Sequence, residues 1–87
     1  MPDTLTQVSG PKSSKKSLNV IAGENIRRLR KSLGVSQDAF SELAGVHRTY
    51  IGSVERGERN MTLNTLQCIA KALKVSPEVL LQEAGDV

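Results

Sequence analysis

The chain is poor in the residues that most catalytic and metal chemistries recruit. It has one cysteine, Cys68, and one histidine, His47, among 87 residues. A lone thiol closes no intrachain disulfide and builds no cysteine zinc cluster, so a reducing cytoplasm, no metal and no cofactor are the expectation. Nothing in the sequence around Cys68 favours its thiolate, and it reads as an inert or interface residue. With one His and scattered carboxylates there is no evident nucleophile–base pair, and an enzyme is not expected. Tryptophan is absent, and Phe40 and Tyr50 are the sole aromatics, too few for a platform on which single-stranded bases stack. Apolar runs extend over only a few residues, short of a signal-peptide core or a membrane span, so a soluble protein with no membrane partner is expected.

What is present points to one small domain, whose modest core depends on good helix packing or on dimerisation. The formal charge is +3, and its distribution is more informative than its size. Residues 18–75 carry nine Lys/Arg against five acids, a balance of +4, whereas residues 76–87 carry Glu78, Glu83 and Asp86 and no base. The C-terminal end is thus unsuited to phosphates and is better placed to pair with another protein.

Residues 1–17 are rich in Ser, Thr, Pro and Lys and show no apolar period, so they read as a disordered basic arm. Lys12, Lys15 and Lys16 suit either a solvated tail or an arm that trails along a groove. Residues 18–87 then read as an all-α domain of five helices. Residues 18–33 place Ile21, Ile26, Leu29 and Leu33 near a 3.6 period, with Asn19 as a cap and Gly23 as a weak point. Thr62 caps a helix in which Leu63, Leu66, Ile69, Ala70 and Leu73 share a face. Ser76-Pro77-Glu78 opens a last helix in which Val79, Leu80 and Leu81 are consecutive. One face cannot bury all three, and the spare apolar surface suits a two-fold dimer contact.

The organising stretch is SQDAFSELAGVHRTYIGSVERG, residues 36–57. Ser36 offers a cap, and Phe40, Leu43 and Ala44 fall on one face of a helix over 37–44. Gly45 lets the chain reverse at once, because a tight turn needs the left-handed backbone that glycine adopts most cheaply. Val46, Tyr50, Ile51 and Val54 form the next stripe on a helix over 48–56, which Gly57 stops. His47, Arg48, Thr49, Gly52, Ser53 and Arg56 are left facing outward, with no acid among them. This is the pattern of a helix-turn-helix, whose second helix reads DNA.

These residues resemble the Xre-type helix-turn-helix family of phage repressors and Cro-like proteins. The resemblance rests on Gln37, Gly45, Ile51, Val54 and the closing Glu55-Arg56-Gly57, and covers about residues 19–81; Ser41 stands where the family usually has alanine. The block HRTYIGSVERGERN is also similar to the recognition region of small controller proteins of restriction–modification systems. The resemblance implies a sequence-specific regulator that binds a palindromic operator in double-stranded DNA as a homodimer, by blocking or contacting RNA polymerase. It implies that the 48–56 helix enters the major groove, with Arg48, Thr49 and Ser53 as base readers. Gln37, His47, Gly52, Arg56, Arg59 and Asn60 would serve the DNA backbone. Arg30 and Glu55 would form a structural ion pair, and Val79, Leu80 and Leu81 the dimer interface. The other class of function open to such a fold is a protein-interaction module, antitoxin-like or bridging.

Overall fold

The computed structural model describes residues 16–83. Four α-helices fold in sequence, α1 (Leu18–Ser32), α2 (Gln37–Ala44), α3 (Arg48–Glu55) and α4 (Leu63–Leu73), followed by a 3-10 segment (Pro77–Leu81). Ser17, rather than Asn19, caps α1, because Ser17 has the extended backbone a cap requires and its hydroxyl accepts the Val20 amide. Asn19 lies inside the first turn and bonds across to Asn60 instead. Ser36 and Thr62 cap α2 and α4 as their positions suggest, accepting from the amides of Ala39 and Thr65.

The expected fifth α-helix is replaced by the five-residue 3-10 segment. Ser76 makes no side-chain cap bond, and the segment closes with i to i+3 bonds, Val79 N–H to the Ser76 carbonyl among them. Five residues without a cap are too few to sustain α-helical cooperativity, and the tighter helix serves in such short pieces. The consequence for Val79-Leu80-Leu81 is a split. Leu80 is fully buried in the core, Val79 is half-buried and Leu81 is exposed, so Leu80 is withdrawn from the dimer surface.

The core gathers one face of every element: Ala22 and Ile26 from α1, Phe40 and Ala44 from α2, Ile51 and Val54 from α3, Leu66, Ile69, Ala70 and Leu73 from α4, and Leu80. Three leucines read as core residues are not in it. Leu33, Leu43 and Leu63 are 43%, 61% and 80% exposed. Leu33 stands at the C-cap of α1, and Leu63 is the first residue of α4. Both therefore fall at helix ends, where helical periodicity no longer dictates which side is covered.

Two glycines set the geometry of the motif. Gly45 ends α2 at φ 75°, with its N–H on the Ser41 carbonyl, and this left-handed residue turns the chain toward α3. Gly23, in the interior of α1, is buried against α3. A Cβ there would run into the carbonyl oxygens of Val54 and Glu55. The helix-weakening glycine of the sequence is therefore the close-approach point between α1 and α3. Among the described residues no helix is long and apolar enough to cross a membrane.

Candidate nucleic-acid interface

The site begins with a buried anchor beneath α3. Arg30 Nε donates to Glu55 Oε2 at 2.6 Å and Nη2 donates to Oε1 at 3.1 Å, a two-pronged ion pair. The third nitrogen, Nη1, donates to the Val35 carbonyl at 2.8 Å in the α1–α2 connection. Gln37 Nε2 completes the set by donating to Glu55 Oε1 at 3.0 Å. One carboxylate thus ties α1, the start of α2 and the end of α3 together. Its hydrogen bond to Arg30 holds the guanidinium pKa above the usual arginine range, against the opposing pull of burial. The resemblance-based pairing of Arg30 with Glu55 is present in full. No buried side-chain polar atom among the described residues lacks a hydrogen-bond partner.

A second internal tie was not evident in the sequence. Asn25 is buried, and its Nδ2 donates to the carbonyls of Leu80 and Gln82 at 2.8 and 2.7 Å. Its Oδ1 accepts from Arg28 at 3.1 Å. Asn25 therefore fastens the 3-10 segment to α1. Its only sequence signal is a polar residue beside the Ile21–Ile26 stripe, which by itself does not distinguish a buried amide from an exposed one.

Above the anchor lies the exposed edge of α3. His47 caps this helix, Nδ1 accepting the Thr49 N–H at 3.0 Å, so its ring is committed at that nitrogen to structure. Arg48 and Thr49 are exposed in the first turn. Ser53 is not. It is 8% exposed, and its hydroxyl donates to the Tyr50 carbonyl at 2.8 Å, because its place on α3 faces inward beside Val54. Gly52 is also buried. A Cβ there would meet Arg56 Nη1 at 3.3 Å and Gln37 Oε1 at 3.6 Å, so what approaches Gly52 closely is these two side chains, rather than open space for DNA.

Gln37, Gly52 and Arg56 line a recess together with Arg27, Arg30 and Glu55. Arg27 also lines this edge, a residue that sequence reasoning missed. The signal was its position one turn before Arg30 on α1. In the loop after α3, Arg59 stacks over the Tyr50 ring at 5.3 Å, and Asn60 accepts from Asn19. The loop is thereby tied to both α1 and α3. The outward face is also not free of acids. Arg48 Nε lies 3.3 Å from Asp38 Oδ1, and Arg56 Nε lies 3.1 Å from Glu58 Oε2.

A buried clamp thus joins the three helices and leaves a basic outer edge on α3, and the helix-turn-helix family model matches residues 26–80. This chain belongs to the helix-turn-helix family. Control protein C.SmaI of Serratia marcescens is 52% identical over 65 residues, covering 75% of this chain and 77% of that protein. The crystal structure of the restriction–modification controller protein C.AhdI of Aeromonas hydrophila superposes with a TM-score of 0.69 at 40% identity, covering 71% of this chain and 94% of that one. A structure of the C.Esp1396I nucleoprotein complex aligns with a TM-score of 0.67 at 32% identity, covering 76% and 86%. In this helix-turn-helix protein the motif proper is α2, the Gly45 turn and α3. The anchor on Glu55 fixes the angle of α3 to α1, and Arg48, Thr49, Arg56 and Arg59 stand on the exposed side.

Proposed function

We propose that this protein is a sequence-specific regulator of transcription that binds double-stranded DNA as a homodimer, of the kind represented by the controller proteins it resembles. The observation that carries this reading is the exposed edge of α3, a short helix whose outer arginines are presented by an internally satisfied ion-pair clamp. In this reading α3 enters the major groove with its N-terminal turn toward the base edges. Arg48 reads guanine, since a guanidinium fork matches the two acceptors on that base, and Thr49 offers a hydroxyl or a methyl to the neighbouring pair. Arg56, Arg59 and Arg27 serve phosphates, and the amides at the start of α2 receive another. His47 and Asn60 act through capping and loop tethering, and Gly52 by seating Arg56 against Gln37.

A single module of this size makes few contacts, so operator binding by two copies follows. Leu81 and half-buried Val79 remain as dimer residues, apolar surface that the fold leaves uncovered. Two-fold pairing places the reading helices about 34–36 Å apart, one turn of DNA, and requires a palindromic operator. Regulation is then by occupancy, which excludes RNA polymerase at one site or contacts it at another.

The test is selection from a random duplex library by the purified protein at moderate salt, with sequencing of the bound pool. An inverted repeat with half-sites about one turn apart is the expected result. Binding that is equal on every duplex and lost with salt would overturn sequence-specific recognition and favour a protein-interaction role. On the recovered operator, Arg48→Ala should cost about 1–3 kcal/mol of discrimination at one base position, whereas changes at phosphate-facing arginines weaken all duplexes alike.

A further inference from the structure

Both arginines of the exposed α3 edge meet a carboxylate from a neighbouring segment. Asp38, the second residue of α2, lies against Arg48, with both side chains 66% exposed. Glu58, in the loop after α3, lies against Arg56, at 60% and 57% exposure. Neither pair is architecture. An ion pair so open to water is worth little to the fold, and the buried clamp on Glu55 already fixes the helices. The acids nevertheless stand on the surface that DNA must approach, where a carboxylate repels phosphate and competes with it for the guanidinium.

We propose that Asp38 is a specificity-determining residue that acts as a built-in competitor of the DNA backbone for Arg48, lowering affinity for arbitrary duplex more than for the operator, and that Glu58 competes for Arg56 on every duplex alike. The inference rests on the DNA-binding reading above. On random sequence the gain available to Arg48 and Arg56 is a phosphate contact, the same electrostatic interaction the carboxylates already supply, so exchange returns little. On the operator, Arg48 exchanges its single contact with Asp38 for a two-pronged bond to guanine, a gain beyond the contact that phosphate offers on arbitrary sequence. The acids therefore tax the sequence-independent part of binding and leave most of the sequence-dependent part intact.

The experiment measures the affinity of wild type, Asp38→Asn, Glu58→Gln and Glu42→Gln for two fluorescein-labelled duplexes, the selected operator and a scrambled sequence of the same composition, across a salt series. Glu42 is an exposed acid of α2 that forms neither of these pairs, so its variant controls for net charge. Each of the two paired-acid variants should bind scrambled duplex about two- to five-fold more tightly at low salt. The operator-to-scrambled ratio should fall for Asp38→Asn and hold for Glu58→Gln, and the salt dependence should steepen by up to about one unit in log–log slope. An unchanged scrambled affinity overturns the proposal, as does a gain no larger than that of Glu42→Gln, which net charge alone would explain. Weaker operator binding with no gain on scrambled duplex also overturns it, since Asp38 would then be orienting Arg48 rather than competing for it. A wild type that discriminates between the duplexes while its variants fail these expectations sinks only this inference; a wild type that does not discriminate sinks the DNA reading itself.

Discussion

The protein contains the same chemical pair, an arginine with a carboxylate, in two settings. Arg30 and Glu55 have side chains 9% and 3% exposed, joined by two hydrogen bonds, with Val35 and Gln37 filling further donor and acceptor positions. Arg48 with Asp38 and Arg56 with Glu58 are more than half exposed, each with a single close approach. Water makes the difference. Removing one member of the buried pair strands a charge where nothing solvates it, whereas an exposed arginine is at once hydrated or taken up by another anion. The first pair is thus suited to holding α1, α2 and α3 in register, and the others to exchanging partners when a polyanion arrives.

Breaking the buried pair should give the largest effect. Glu55→Ala should lower unfolding free energy by about 3–5 kcal/mol in urea titration, because Arg30 is left charged and unpaired. The raised pKa of Arg30 sharpens the point. Its contribution is present throughout the pH range below the ordinary arginine value and is lost only as pH rises through the elevated folded one, so mild alkali should not mimic the mutation. The double variant Arg30→Met/Glu55→Leu should recover much of the loss, since apolar replacements leave no stranded charge. A double variant as unstable as the single one would show that the geometry of the bonds, rather than the stranded charge, dominates.

Gly23→Ala comes next. The added methyl meets backbone rather than a flexible side chain, so α1 and α3 must separate, and a net loss of about 2 kcal/mol is expected despite alanine's better helix propensity. A rise in stability would show that the crossing can widen at no cost. Asn25→Ala should cost about 1–2 kcal/mol by leaving two carbonyls of the C-terminal segment without their donor. Hydrogen exchange should localise that loss to residues near Leu80. At the small end, Arg48→Ala should change stability by less than about 0.5 kcal/mol. A larger loss would remove the contrast between the two kinds of pair.

The elements themselves were largely legible in the sequence because their signals are local. Ser36, Gly45, Thr62 and Gly57 mark helix boundaries by capping and turn chemistry, and α2 and α3 lie close to where periodicity places them. Glu55 as the partner of Arg30 came from the family resemblance, and the geometry bears it out. Legibility failed wherever a residue's role depends on what packs over it. Leu43 shares a helical stripe with Phe40 and Ala44, yet it is exposed while they are buried. Ser53 has the composition of a base reader and the position of an inward-facing residue. Leu80 and Leu81 are adjacent leucines with opposite environments.

The sequence by itself determined the order of the helices, the turn between α2 and α3, and the surplus of positive charge before residue 76, since each follows from local conformational preference or from composition. Tertiary structure alone decided that Gly23 is a contact rather than a flaw, that Asn25 fastens the 3-10 segment, and that the outer arginines are shadowed by Asp38 and Glu58. These depend on distances between residues remote in the chain, or on side-chain direction at helix ends. Both are set by how the core closes, and neither local propensity nor periodicity encodes them.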